Sequence, residues 1–286
     1  MTSKKLVFSA IAASALFAVS ASAQAPASWT KPTTPFQVIG NIYYVGTEGI
    51  SAWLITSSKG HILIDGGMPA SAALVEANIK ALGFKLSDVD LILNSHAHFD
   101  HAGAIAQLKK DTGAVVIASA GDKAALESGK YIGSEDVAAY AFPPVKVDKT
   151  VGDGETLSVG GNTLKANLTP GHTKGCTSWT TSVKDGGKSY KVIFYCSATV
   201  AANRLAPNAQ YPGIVADYQK TFAKLGGMQA DVFLAPHPEQ MNLAAKRAAM
   251  GPGKPNPFVD PGELQRVTAA AKADFEVQLA KQQGGS

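Results

Sequence analysis

The stretch 89-VDLILNSHAHFDHAGAIAQLKK-110 decides how the rest of the chain is read. It begins as an apolar, strand-like run, 89-VDLILN-94, and ends in a helix-like pattern carrying Ile105 and Leu108. Between them, three histidines and an aspartate fall within six positions: His96, His98, Asp100 and His101. The chain has only six histidines in 286 residues, so half of them are placed here. In extended backbone successive side chains alternate, which sends His96 and His98 to one side. Asp100 and His101 stand where strand gives way to helix and approach from another direction. Imidazole nitrogens and a carboxylate oxygen are donors suited to zinc. A lone histidine is usually a satisfied polar residue or a surface one, but a cluster this dense is read as a metal site.

Two more histidines share that setting. His172 lies in 168-LTPGHTKG-175 and His237 in 235-APHPE-239, each just past a strand-like run. Either alone would be an ordinary loop histidine, but loops at strand ends are where a rigid scaffold displays binding groups. Six donors exceed the four of a tetrahedral zinc. Two metals with three protein ligands each use all six and leave a coordination position open for water. The expected cofactor is therefore two Zn²⁺ per chain. His61 opens a strand without ligand spacing and is read as a surface or edge residue. Asp65 ends 61-HILIDGG-67, where a buried carboxylate is costly unless hydrogen-bonded. It is read as a support beneath the metal loop or, equally, as a turn cap.

Working outward, short β-branched runs recur at 42-IYYVG-46, 52-AWLIT-56 and 61-HILID-65. A helical pattern follows, with Leu74, Ala77, Ile79 and Leu82 apolar and Gly83 as its stop. Beyond the quoted stretch come strand 115-VVIA-118 and helix 119-SAGDKAALESG-129, with Ser119 as the N-cap. Residues 131–162 read as loop-rich. Strands resume at 163-TLKANL-168, 176-CTSWTTSV-183 and 190-YKVIFYC-196, the last two flanking the hairpin signal 185-DGG-187. A helix at about 216–225, strand 231-DVFLA-235 and a helix at about 261–282 complete the chain. Strands first, then alternating helices and strands, twice over and with no linker, predict an α/β (α+β) fold: one four-layer αββα sandwich over residues 24–286.

Cys176 and Cys196 are equally distant from Gly186. If the hairpin is symmetric about that residue they face each other, ~4.5–5.5 Å apart at Cα, within reach of a disulfide. Two buried free cysteines are the alternative. The N-terminus bears on the redox setting. Lys4 and Lys5 precede an apolar run from Leu6 to Ser20, and Ala21-Ser22-Ala23 supplies a cleavage pattern. That run is roughly 15 residues, short of the roughly 20 that span a bilayer. Residues 1–23 are thus expected to be a secretory signal peptide, with a mature chain in the periplasm, where a disulfide persists, and no stable membrane anchor. Loss of the two lysines lowers the net charge from +4 to +2. With acids and bases interspersed and no basic stripe, nucleic acid is not an expected partner.

The pattern His96-x-His98-x-Asp100-His101, with His172 and His237 downstream, resembles the metallo-β-lactamase superfamily. The segments 61-HILIDGGMP-69, 91-LILNSHAHFDHAG-103, 152-GDGETLSVGG-161, 169-TPGHTKGCTSW-179, 211-YPGIVADYQKTF-222 and 231-DVFLAPHPE-239 resemble its subclass B3, in order and across nearly the whole mature chain. The resemblance implies His96, His98 and His172 on one zinc, and Asp100, His101 and His237 on the other. It also implies that Ser197 replaces a cysteine or aspartate ligand of other members, and that the hydroxyls of Ser197 and Thr199 contact the substrate carboxylate. Lys174 stands where a proline is expected. The activity implied is hydrolysis of the β-lactam amide by a metal-bridged hydroxide, with Asp100 orienting it, in a monomer acting on a small-molecule substrate. Two dications, less one carboxylate and one hydroxide, leave a doubly positive centre suited to an anionic β-lactam. The alternatives are a lactonase or a glyoxalase II-like thioesterase on the same fold, and a non-catalytic periplasmic zinc-binding protein.

Overall fold

Strands that are apolar on both faces need cover on both sides, and the early strands have it. In β3 (Trp53–Ile55) and β4 (His61–Ile64) every residue is buried, and successive side chains enter different clusters. Trp53, Ile55, Ile62 and Ile64 face the other sheet, while Leu54 and Leu63 face helices. Each such leucine or isoleucine contributes about 1.5–3 kcal/mol when fully buried. The computed structural model describes residues 25–284. The expected signal peptide, residues 1–23, lies outside them. Among the described residues no helix is long and apolar enough to cross a membrane.

The first sheet runs β1 (Phe36–Ile39), β2 (Ile42–Tyr44), β3, β4, β5 (Val89–Leu93), β6 (Val115–Ser119), β7 (Lys149–Val151). It is antiparallel through β4 and parallel from β4 to β7. The second runs β12 (Val232–Leu234), β11 (Lys188–Phe194), β10 (Thr177–Asp185), β9 (Asn162–Leu168), β8 (Thr156–Val159). Helices α1 (Ala72–Ala81), α3 (Ile105–Thr112) and α4 (Ala120–Ser128) cover the first sheet, and the short α2 (Phe99–Ala102) lies in the loop after β5. Helices α5 (Ile214–Gly227) and α7 (Glu263–Gly284) pack on the other cluster, and α6 (Leu243–Ala249) follows β12. This is the expected αββα sandwich. The sequence patterns left β1, β7, β8 and α6 unassigned, each being short or weakly patterned.

Two local readings need correction. His61 is buried, in a strand with neighbours on both sides and its ring edge-on to Phe84 at 5.1 Å, so it is neither surface nor edge. The hairpin turns on Gly186-Gly187, both at positive φ, and Asp185 pairs with Lys188. Its symmetry point is therefore half a residue from Gly186, and the cysteines are not directly opposed. They nevertheless join in a disulfide, with Cα atoms 5.8 Å apart, beyond the last ladder pair Trp179–Phe194.

Candidate metal centre

The strand directions place the donors. Parallel strands β4 and β5 end on the same edge, and β9, β11 and β12 likewise share one direction, so the loops after them gather at one end of the sandwich. Ligands in open α/β sheets are commonly bound there, outside the carboxyl ends of strands. The loop after β5 carries His96 to His101, that after β9 carries His172, and that after β12 carries His237.

They converge in two groups. In each, the donor atoms of His96, His98 and His172, or of Asp100, His101 and His237, lie within 4.8 Å of one another. In the first group, His96 Nδ1 lies 2.9 Å from Ser95 Oγ, and His172 Nδ1 donates to the Thr199 carbonyl at 2.8 Å. Hydrogen bonds of this kind fix a ring's orientation and leave its Nε2 facing inward. The Nε2 atoms of His96 and His98 are buried without hydrogen-bond partners. In the second group, Asp100 Oδ2 is 3.1 Å from His101 Nε2 and 3.4 Å from His237 Nε2, and those two nitrogens are 3.2 Å apart. Buried imidazole nitrogens left orphaned beside a carboxylate cost free energy, and a cation between them removes that cost. Three nitrogens in one group, two nitrogens and an oxygen in the other, fit zinc.

The protonation states of four histidines and the aspartate suit ligation. Burial, then the neighbouring imidazoles, hold His96 and His98 well below the usual imidazole range. Burial brings His172 down to about 4 and His237 to about 3. Burial would raise the carboxyl of Asp100, but His101, His98 and His237 pull it far below the usual carboxylate range. His101 moves the other way: Asp100 outweighs the effect of its burial and raises it.

Asp65 is buried beneath the loop at positive φ, and its Oδ1 accepts from Ser95 N at 2.7 Å and Asn94 Nδ2 at 3.0 Å. Burial pushes it up to about 6, against the lowering effect of His101 and these hydrogen bonds. Gly66 N donates to the His101 carbonyl at 2.9 Å. Asp65 therefore braces the root of the loop that carries His96 to His101. Thr199 lines the cleft. Ser197 is buried behind it, hydroxyl oxygens 3.1 Å apart.

Several residues at the site carried no signal of their own in the sequence. Asn203 Nδ2 donates to the His172 carbonyl at 2.9 Å, and its Oδ1 accepts from Tyr131 OH at 2.6 Å. Tyr218 OH donates to the Thr199 carbonyl at 2.8 Å. Asp122, in the first turn of α4, binds both metal loops at once. Ser119 occupies the N-cap position of α4 without capping it, because its hydroxyl donates to the Gly175 carbonyl at 2.6 Å. One trace was available. A glycine early in a helix is unfavourable unless something must come close, and a Cβ on Gly121 would lie 2.5 Å from the Lys174 carbonyl oxygen.

His98, Asp100, His172 and His237 line a cleft of about 790 Å³. Its wall is a run of rings: Trp29 is 6.2 Å from Phe99, Phe99 stacks 6.0 Å from Tyr140, and Tyr140 meets Tyr131 edge-on at 5.5 Å. Trp29 also lies 5.5 Å from the His237 ring, and Tyr131 lies 4.4 Å from His98. Among the described residues no lysine or arginine lines the cleft.

The model of the metallo-beta-lactamase superfamily matches residues 45–185. A subclass B3 metallo-beta-lactamase of Bradyrhizobium japonicum, BJP-1, superposes with a TM-score of 0.89 at 51% identity, covering 91% of this chain and 98% of that one. The native FEZ-1 metallo-beta-lactamase of Legionella gormanii gives 0.85 at 38% identity, with 89% and 98% covered. A hydroxyacylglutathione hydrolase of Rhodospirillum rubrum is 32% identical over 107 residues, 37% of this chain and 34% of its own. The chain thus spans about a third of the length of that curated relative.

Proposed function

The chain belongs to the subclass B3 metallo-beta-lactamases, and from that premise we propose that it hydrolyses the amide bond of β-lactams using two zinc ions, in the periplasm after export. The carrying observation is the pair of donor sets on the floor of one cleft, with a single carboxylate among six donors. Two dications held by five neutral imidazoles and one carboxylate leave a strongly positive centre. That suits a substrate whose amide is reached through an adjacent carboxylate.

When bound, the ions supply Lewis acidity and water acidified to a nucleophile at neutral pH. Nε2 of His96, His98 and His172 would hold one ion; Nε2 of His101 and His237 with Asp100 Oδ2 would hold the other. The Thr199 carbonyl keeps the proton of His172 on Nδ1, so that Nε2 remains a donor. Asp100, held ionised, orients the attacking water. As water adds to the carbonyl carbon and the ring C–N bond breaks, a proton of that water passes to the departing nitrogen. The Thr199 hydroxyl contacts the substrate carboxylate, and Ser197 steadies that hydroxyl from behind. The aromatic wall excludes bulk water and packs the substituent on the lactam.

Parallel kinetics on a penicillin, a cephalosporin, a carbapenem, a lactone and S-lactoylglutathione test this, each before and after zinc chelation. Hydrolysis of the lactams should dominate and disappear with the zinc. A higher kcat/KM for the lactone or the thioester overturns the reading. A phosphodiester polyanion is disfavoured by the absence of lysine and arginine among the described residues that line the cleft.

A further inference from the structure

We propose that Asp122 is a positioning residue for the first donor set, one carboxylate that sets the geometry and affinity of the His96–His98–His172 site and leaves the Asp100–His101–His237 site alone. The proposal rests on the reading that the first set holds a metal. The three histidines come from two loops, and separate loops do not hold a common geometry unless something joins them. The Asp122 side chain joins them. Its Oδ2 accepts from Ala97 N at 3.0 Å, the amide between His96 and His98, and from Thr173 Oγ1 at 2.8 Å, immediately after His172. Its Oδ1 accepts from Gly175 N at 2.8 Å. The residue is only 2% exposed, and these are hydrogen bonds to a charged acceptor, stronger than neutral ones.

The surroundings are shaped to bring that carboxylate in. A Cβ on Gly175 would lie 2.3 Å from Asp122 N and 2.6 Å from its Cγ, and one on Gly121 would lie 2.8 Å from Gly175 Cα. Two glycines therefore let the start of α4 abut the His172 loop, and the Ser119 hydroxyl pins the same loop at the Gly175 carbonyl. None of these contacts reaches Asp100, His101 or His237. Asp65 is placed differently: its side chain accepts from Asn94 and Ser95 at the root of the β5 loop.

The test is competitive titration of Zn²⁺ against a chelator in the full-length protein. The set under study is isolated by a His101→Ala or a His172→Ala background. Asp122→Asn has the same shape but turns an NH₂ toward a donor. In the His101→Ala background it should lower zinc affinity by about 10–100-fold, the usual effect of losing a partner that orients ligands. In the His172→Ala background it should change affinity by less than about twofold. Zinc-free melting temperatures separate this from a general structural role. A lowered melting temperature with unchanged zinc affinity overturns the proposal, as does an equal loss at both sets. If Asp122→Asn does not fold, Thr173→Val should weaken the first set several-fold and Thr173→Ser should restore it; no effect from Thr173→Val is then the overturning result. A wild-type chain that binds no zinc overturns the metal reading and this proposal together. Two bound zincs with Asp122→Asn indistinguishable from wild type overturn this proposal alone.

Discussion

The two donor sets are built differently. In the first, two of the three rings have their outer nitrogen engaged, His96 by Ser95 and His172 by Thr199, and the loops that carry them are tied together through Asp122. In the second, Nδ1 of His101 is buried without a hydrogen-bond partner, and His237 has only the Gly49 backbone beside it, with Glu239 3.7 Å from its Nδ1. There the donors are held mainly by each other and by ring packing. The first set is pre-organised by the scaffold, whereas the second would depend more on an ion bound between its donors. Preorganisation lowers the entropic cost of binding, so the two sets should differ in affinity and in their response to substitution.

The largest expected contrast is between His172→Ala and His237→Ala. Losing His172 removes a donor and the ring that anchors the Thr199 carbonyl. A fall in kcat/KM of at least about 10³-fold is expected, about 4 kcal/mol of transition-state stabilisation. Losing His237 leaves the first set and its scaffold intact, and a smaller fall of about 10–100-fold is expected. Steady-state kinetics at saturating zinc measures both. Equal losses would mean that the scaffold does not distinguish the sets.

The disulfide comes next. It ties Cys176, next to Gly175 of the His172 loop, to Cys196, next to Ser197, across a separation of 20 residues. A closed loop of that length stabilises by about 3 kcal/mol, so a Cys176→Ser/Cys196→Ser double variant should melt roughly 6–12 °C lower. Because the bond braces only the first set's surroundings, zinc affinity there should fall while that of the second set holds. Unchanged melting would remove the disulfide from the scaffold.

Stepwise chelation reads the same asymmetry without mutation. Zinc should leave the second set at a chelator strength about 10–100-fold weaker than the first requires. Zinc per chain, followed alongside residual hydrolysis, should show two steps. A single step releasing both ions would contradict the comparison.

Much of this site was legible from residue types and spacing. The density of 96-HAHFDH-101 announced a candidate donor cluster, and alternation in extended backbone put His96 and His98 on one side. The strand-end positions of His172 and His237 placed them at the same edge. What stayed hidden was whatever depends on partners distant in sequence. Asp122 looks like any acid in the first turn of a helix until its carboxylate meets Ala97, Thr173 and Gly175 from elsewhere in the fold. His61 read as surface because nothing local says that Phe84 and two flanking strands cover it. The hairpin register failed by half a residue because DGG offers more than one centre, and only the ladder chooses Gly186-Gly187. Even so, the cysteines meet, because past Phe194 the chain has left the regular ladder.

The smallest effect is expected from Trp29, and it bears on the less supported set. The segment Ala27–Thr30 is clipped onto the turn at 47–49: Gly49 N donates to the Ser28 carbonyl at 2.8 Å, and Thr47 Oγ1 donates to that of Trp29 at 2.9 Å. The turn admits it because Gly49 has no side chain; a Cβ there would lie 2.8 Å from the Trp29 ring. The indole then rests against the His237 ring, 5.5 Å away. An aromatic pair of this kind contributes about 0.5–1.5 kcal/mol beyond its buried area. Trp29→Ala should therefore raise KM for aryl-substituted lactams by about 2–10-fold and weaken zinc at the second set by a similar factor. The first set should be untouched, and Trp29→Phe should retain most of both. Weakening of the first set instead would mean that ring packing at the cleft mouth, rather than the hydrogen bonds behind it, organises the deeper ligands.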